Sequence, residues 1–192
     1  MTAGVGERSG IKPGDRILSI NGHEIRDPID YRYHEEGSTL RIKIEKKRGG
    51  IRNIKIEKDE GEGLGLDLAR IDIKRCRNHC IFCFMDQMPK GLRRSLYIKD
   101  DDYRLSFLFG NYITLTNLTG AEKERIITQR LSPLYVSVHT TDPLLRRYIL
   151  GNMKASDVMK DIRDLAENKI RMHTQIVVVP GINDGKHLER TI

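Results

Sequence analysis

The chain has 192 residues, 38% of them hydrophobic and 32% charged, with a net charge of +7. No apolar run approaches the roughly 18 residues that span a bilayer, and the opening MTAGVGERSG lacks the apolar core of a signal peptide, so a cytoplasmic protein without a membrane partner is expected. Its 34 Lys and Arg are interspersed with 27 acids, with no zinc-finger spacing and no aromatic–basic RNA-binding motif, so the charge reads as a solvated basic surface rather than a nucleic-acid site.

The first 58 residues read as short strands and turns. In 11-IKPGDRILSINGHEI-25, Pro13-Gly14 turns, Ile17, Leu18 and Ile20 follow, and Asn21-Gly22 suits a two-residue hairpin. In 39-TLRIKIEKKRGGIRNIKIEK-58, Leu40, Ile42 and Ile44 alternate with Arg41, Lys43 and Glu45. Gly49-Gly50 then turns and Ile51, Ile54 and Ile56 return, which predicts antiparallel strands with one wet face. Residues 27–37 suit a short helix, and 59-DEGEGLG-65 reads as a linker. The stretch GIKPGDRILSING (Gly10–Gly22) resembles the core of a bacterial-type PDZ domain. That resemblance implies a small, mostly-β domain over 1–58 and a protein partner docked by strand addition. The groove strand and carboxylate-binding loop of such domains would lie at or before MTAGVGERSG, so a packing module without a peptide ligand is the alternative.

From residue 64 the rhythm changes to strand, helix, strand, helix. 64-LGLDLARIDIK-74 alternates and runs into the cysteines; 111-NYITLTN-117, 134-LYVSVHT-140 and 170-IRMHTQIVVVP-180 read as further strands. 119-TGAEKERIITQRL-131 opens on Thr119 with Glu122 three residues on, a capping-box pattern. 155-ASDVMKDIRDLAEN-168 places Val158, Ile162 and Leu165 on one helical face, with Asp157 near its start. Strands separated by such helices mean βαβ units and a parallel sheet or barrel. About four strands fit, while an eightfold barrel takes ~250 residues. Residues 66–192 are therefore expected to be the N-terminal part of a β/α barrel, and the α/β chain to be cut short within it.

All three cysteines, Cys76, Cys80 and Cys83, lie in 76-CRNHCIFCFMDQ-87 at C-x3-C-x2-C spacing. Zinc knuckles pair C-x2-C with a second ligand pair, and no second pair of cysteines exists here. His79, beside Cys80, would strain the turn as a ligand of the same ion, and His139 and His173 reach the loop only through the fold. A ferredoxin-type cluster takes four cysteines. Three thiolates on one loop can instead hold a 4Fe-4S cubane by three irons and leave the fourth open.

This spacing, with Phe82 just before the third cysteine and the loop following the first strand of a β/α array, resembles the radical S-adenosylmethionine enzymes. More narrowly, residues 76–118, 132–147 and 173–185 are similar to the PDZ-containing radical S-adenosylmethionine proteins of the DUF512 family, whose members run well past this C-terminus. The resemblance implies a 4Fe-4S cluster on Cys76, Cys80 and Cys83, with the open iron binding S-adenosyl-L-methionine. Reductive cleavage of that cofactor to a 5′-deoxyadenosyl radical draws on an external one-electron donor, and the substrate is not specified. The resemblance also implies cofactor contacts: Phe82 near the adenine, then Thr114, Thr116 and Asn117 in 110-GNYITLTN-117, where the Gly-Gly-Glu motif of such enzymes is absent. Ser137 and His139 on the third strand, and His173 and Gln175 on the fourth, complete the set. Both histidines serve equally well as structural groups. Arg75 and Arg77 flank the first cysteine, where their charge can tune a cluster. Asp100-Asp101-Asp102 reads as a solvated acidic turn, with a salt-bridged loop as the alternative. Two other functions stay open: iron–sulfur electron transfer without cleavage, and a PDZ interaction module fused to a structural metal knuckle.

Overall fold

The computed structural model describes residues 4–155 and 157–192. Residues 1–3 of the expected PDZ-like segment, and Ser156 in the expected helix 155–168, lie outside the described residues. The chain divides into two compact units, the first ending at Asp72 and the second running Ile73–Ile192. No helix among the described residues is long and apolar enough to cross a membrane.

In the first unit a short helix α1 (Val5–Arg8) precedes an antiparallel sheet of β1 (Arg16–Ile20), β2 (His23–Glu24), β3 (Thr39–Glu45) and β4 (Ile51–Glu57), in the order β2-β1-β3-β4. Asn21 and Gly22 both take positive φ, 51° and 87°. This is what a two-residue turn matching the twist of β1 and β2 requires. The alternation on β3 buries Leu40, Ile42 and Ile44 on one face, across from Ile54 and Ile56 of β4. Ile51 falls on the opposite face and is exposed. Helix α2 (Pro28–His34) starts where Asp27 accepts the Ile29 and Asp30 N–H groups and Pro28 needs no partner for a missing donor. The core joins these apolar strands to Val5, Ile11, Ile20, Tyr31 and Leu64. Leu64, inside the acidic stretch that reads as a linker, is fully buried there, its carbonyl accepting the Gly6 N–H. A cavity of about 400 Å³ lies between α2 and residues 63–68.

The second unit is α/β. Its parallel pair is β5 (Leu134–Ser137) with β6 (Met172–Gln175), and Ile113 adds a single parallel bridge to Val136 on the other side of β5. Helices α3 (Tyr103–Phe109), α4 (Gly120–Thr128), α5 (Pro143–Leu150), α6 (Val158–Glu167) and α7 (Gly185–Thr191) alternate with these segments. The capping box forms as read: Thr119 Oγ1 accepts the Glu122 N–H, and the Glu122 carboxylate accepts the Thr119 N–H. On α6, Val158 and Leu165 are buried, as the spacing predicts.

Several expectations are corrected. Residues 64–74 form no strand, and 111–117 contributes only the Ile113 bridge. The alternation there names a side-chain face, but a strand also needs a neighbouring backbone, and residues 64–74 form no ladder. The fourth strand ends at Gln175 rather than running to Pro180. Helices α3 and α5 were not legible from periodicity, although both carry end signals: Asp102 and Asp142 as N-caps, Gly110 and Gly151 in the left-handed region after the last turn. The Asp100–Asp102 run is not a solvated turn. Asp101 and Asp102 are 3% and 0% exposed, and Asp102 caps α3 while pairing with Arg104 at 2.6 Å.

Candidate functional site

The cysteine loop is pinned on three sides. At its entry Cys76 N–H donates to the Lys99 carbonyl at 2.8 Å beside the Arg75–Asp100 bridge. At its middle, His79 and Ile81 N–H groups donate to the Leu150 and Ile149 carbonyls, the otherwise unpaired C-terminal acceptors of α5. At its exit Cys83 N–H closes a turn on the Cys80 carbonyl. Gly151 ends α5 at φ +55°, and a Cβ there would run into the His79 carbonyl, so the approach of loop to helix depends on its lacking one.

Asn78 is the internal anchor, 1% exposed. Its side-chain amide donates to Thr114 Oγ1 (2.8 Å), and its carbonyl oxygen accepts from Thr116 Oγ1 (3.0 Å) and the Asn152 amide (2.7 Å). Behind the threonines lies the Asp101 carboxylate, accepting the Thr114 N–H at 2.6 Å and its hydroxyl at 2.7 Å. Burial pushes the Asp101 carboxyl above its usual range, against the pull of those donors. Thr114 and Thr116, expected as cofactor contacts, thus spend their hydroxyls holding Asn78 and the loop. Asn117 flanks the loop entry: its carbonyl accepts from Lys74 Nζ (2.6 Å), which also pairs with Glu122, and its amide reaches the Arg75 carbonyl at 3.4 Å.

The three thiols are free and half-buried. Burial raises the Cys76 thiol, and burial together with the neighbouring Cys76 and Cys83 pushes Cys80 to about 11. Among the described residues no three His, Cys, Asp or Glu side chains converge as ligands of one metal ion. Arg75 and Arg77 are exposed. Lys99 and Arg146, neither expected from the sequence, also bring cations to this region. Lys99 sends its ammonium to the Asn78 carbonyl (2.9 Å) and the Asp86 carboxylate (2.7 Å). Arg146, 1% exposed on α5, donates to the carbonyls of Val138 (3.1 Å), Thr114 (2.8 Å) and Ser137 (3.2 Å), and burial lowers it to about 10, still protonated at neutral pH.

His139 does not continue the alternation of β5. It sits just past the strand at φ +64°, 3% exposed, with its ring centroid 4.8 Å from that of Phe82. Its Nδ1 accepts the Val177 N–H at 3.2 Å, which assigns the ring proton to Nε2, and its carbonyl accepts from Asn183. Burial, then the Arg146 charge, lowers His139 to about 4. Phe82 and His139, each expected as a cofactor contact, lie ring against ring, and the Ser137 carbonyl accepts from Arg146. Gln175 takes part through its carbonyl, which accepts the Val138 N–H at 2.9 Å. His173 is elsewhere, exposed and stacked on Tyr135 at 4.7 Å.

The neutral, buried His139 carries a pH prediction. Its folded pKa of about 4 lies below the ordinary 6.5, so the unfolded chain binds a proton first as pH falls. Stability is fully present above about 6.5 and is lost between there and 4, by on the order of 3 kcal/mol. Comparing urea denaturation of the wild type with His139→Gln at pH 7 and pH 4.5 checks this: the variant should show the shallower acid loss, and equal slopes would contradict it.

A family model described as a Radical SAM-like domain matches residues 58–192, which is more than half of the chain. A second, described as a PDZ domain, matches residues 1–46. No curated protein matches the chain. With its three-cysteine loop held at the head of an α/β unit and that match spanning the whole unit, the chain belongs to the radical SAM-like family.

Proposed function

We propose that the chain is a radical S-adenosylmethionine enzyme of the PDZ-containing DUF512 group, in which Cys76, Cys80 and Cys83 hold a 4Fe-4S cluster and leave one iron open to S-adenosylmethionine. The observation that carries this reading is the loop itself: three free, partly accessible soft donors on one segment whose backbone is tied to Lys99, Ile149 and Leu150 outside it. Three thiolates that each take a different iron need not converge on one point, so the lack of a single-ion site among the described residues is compatible with them. A cluster held by Cys76, Cys80 and Cys83 would supply the one electron that splits a sulfonium carbon–sulfur bond, with methionine as the leaving group.

The chain's own contribution is to hold and shield. Asn78, fixed by Thr114, Thr116 and Asn152, keeps the loop shape through the change from thiols to thiolates. Phe82 and His139 offer an apolar wall for the adenine, and the neutral imidazole withholds a charge that would draw water in. Asn117, Ser137 and Gln175 are proposed to contact the cofactor, Asn117 and Gln175 from half-buried positions and Ser137 from a buried one, and Thr114 and Thr116 to act through Asn78. His173, on its exposed stack, is proposed to face substrate or partner. Residues 1–58 are read as the PDZ-like domain, 59–65 as its linker and 66–192 as the first part of the barrel, in a cytoplasmic protein served by an external one-electron donor. The cavity beside α2 supports a protein partner for the PDZ-like domain.

Anaerobic reconstitution should load roughly four irons and as many sulfides per chain, and dithionite with S-adenosylmethionine should then give 5′-deoxyadenosine and methionine. One zinc and no sulfide would sink the reading in favour of a structural knuckle. A loaded cluster with no cleavage would favour electron transfer.

A further inference from the structure

We propose that the PDZ-like unit binds a segment of its own chain, residues 64–68, as a ligand in cis, so that an outside peptide gains this surface only by displacing it. The inference deepens, and rests on, the reading that this domain takes a protein partner by strand addition.

Two boundaries disagree over this stretch. The radical SAM-like match begins at residue 58, whereas the first compact unit runs on to Asp72. The stretch 64-LGLDL-68 thus lies inside the match to the second domain and folds with the first unit. Its alternation has a physical use there. Leu64 is 0% exposed in the core with Val5, Ile11, Ile20 and Tyr31, and Leu66 and Leu68 are partly buried against the same core. Gly65 and Asp67 between them are exposed. Burying every second side chain while lending a backbone group to the host is how a peptide docks by strand addition.

The fit is backbone against backbone. The Gly6 N–H lies in the first turn of α1, where it has no acceptor inside that helix, and donates to the Leu64 carbonyl at 2.9 Å. On the other side the Leu64 N–H donates to Glu35 Oε2, just past α2, at 3.4 Å. A Cβ at Gly4 would lie 3.0 Å from the Leu64 carbonyl oxygen, and one at Gly6 would lie 2.6 Å from Leu66 Cδ2. Gly65 holds φ +68°, and a Cβ there would lie 3.2 Å from Gly4 Cα. Glycine on both sides is what lets the two stretches approach so closely. The cavity of about 400 Å³ beside α2, lined in part by Pro28, Tyr31 and Leu68, leaves a place where a competing peptide can start.

The test uses the full chain and a fluorescein-labelled synthetic peptide of residues 62–70, EGLGLDLAR, followed by fluorescence anisotropy and thermal unfolding. Leu64→Ala vacates a core site that the peptide's own leucine can fill, so it should bind the peptide at least about tenfold more tightly than the wild type. The peptide should also raise the unfolding temperature of Leu64→Ala and leave that of Leu40→Ala, a core cavity on β3 outside the segment, unchanged. Gly65→Val keeps every core side chain but disfavours positive φ, so it should open the same surface, and it decides the matter if Leu64→Ala fails to fold. A wild type that binds the peptide as tightly as the variants overturns self-occupation and leaves the partner reading standing. Equal rescue of Leu40→Ala overturns it as well, because the peptide then acts without using this site. A peptide that binds neither variant marks Leu64 as an ordinary core residue, and overturns both self-occupation and strand addition as the mode of partner capture.

Discussion

Cys83→Ala should give a folded protein that takes up no stable cluster and forms no 5′-deoxyadenosine. The fold survives because Cys83 is half-buried and the loop is held by backbone bonds that the substitution leaves in place: Cys83 N–H to the Cys80 carbonyl, and His79 and Ile81 to α5. Removing a partly exposed thiol outside the main core should cost less than ~1 kcal/mol. The chemistry does not survive, because a cluster already one protein ligand short of the usual four loses a second. Circular dichroism, denaturation and iron analysis on the same preparation separate the two effects. Cleavage that persists in the variant would show that the ligand set is misassigned, and a variant that fails to fold would show that the thiol serves packing.

Arg146→Met should be the most destabilising single change in the second unit, by about 3–5 kcal/mol. The methionine fills much of the volume but donates nothing, so the buried carbonyls of Thr114 and Ser137 lose the guanidinium, while that of Val138 keeps the Thr140 N–H. Unpaired buried polar groups cost ~1–3 kcal/mol each. The consequence should extend to the site, because Arg146 ties the end of β5 to Thr114, and Thr114 carries Asn78. Arg146→Lys, with a compact ammonium in place of the planar fork, should recover part of the loss. Urea denaturation measures it; a destabilisation below about 1 kcal/mol would mean that water or a shifted backbone satisfies those carbonyls.

The parts of this molecule that were legible in its sequence are those decided within a few residues. The Asn21-Gly22 turn follows from the ease with which those residues adopt positive φ, and the start of α4 follows from the reciprocal bonds of Thr119 and Glu122. The cysteine spacing pointed to a soft-metal loop, and Phe82 beside the third cysteine sharpened it. The expectations that failed share a cause. The alternation of 64–74 and of 111–117 describes a side-chain face, while strand pairing depends on a distant backbone at the right spacing. The acidic run 100–102 has the composition of a solvated turn, and burial became affordable only through partners remote in sequence such as Thr114, with Arg104 close by.

The same division holds at the site. By itself the sequence determined the candidate donors, three thiols within eight positions, because that count and spacing are local chemistry. Tertiary structure alone decided that the Lys99 ammonium meets the Asn78 carbonyl, that Asn78 hangs from Thr114 and Asn152, that Arg146 underlies the end of β5, and that His139 is a neutral, buried ring against Phe82. All but the Arg146 contact with Ser137, nine positions away, join residues separated by tens of positions, and each depends on burial, which changes the cost of a charge or an unpaired polar atom in a way that no short stretch of sequence reveals.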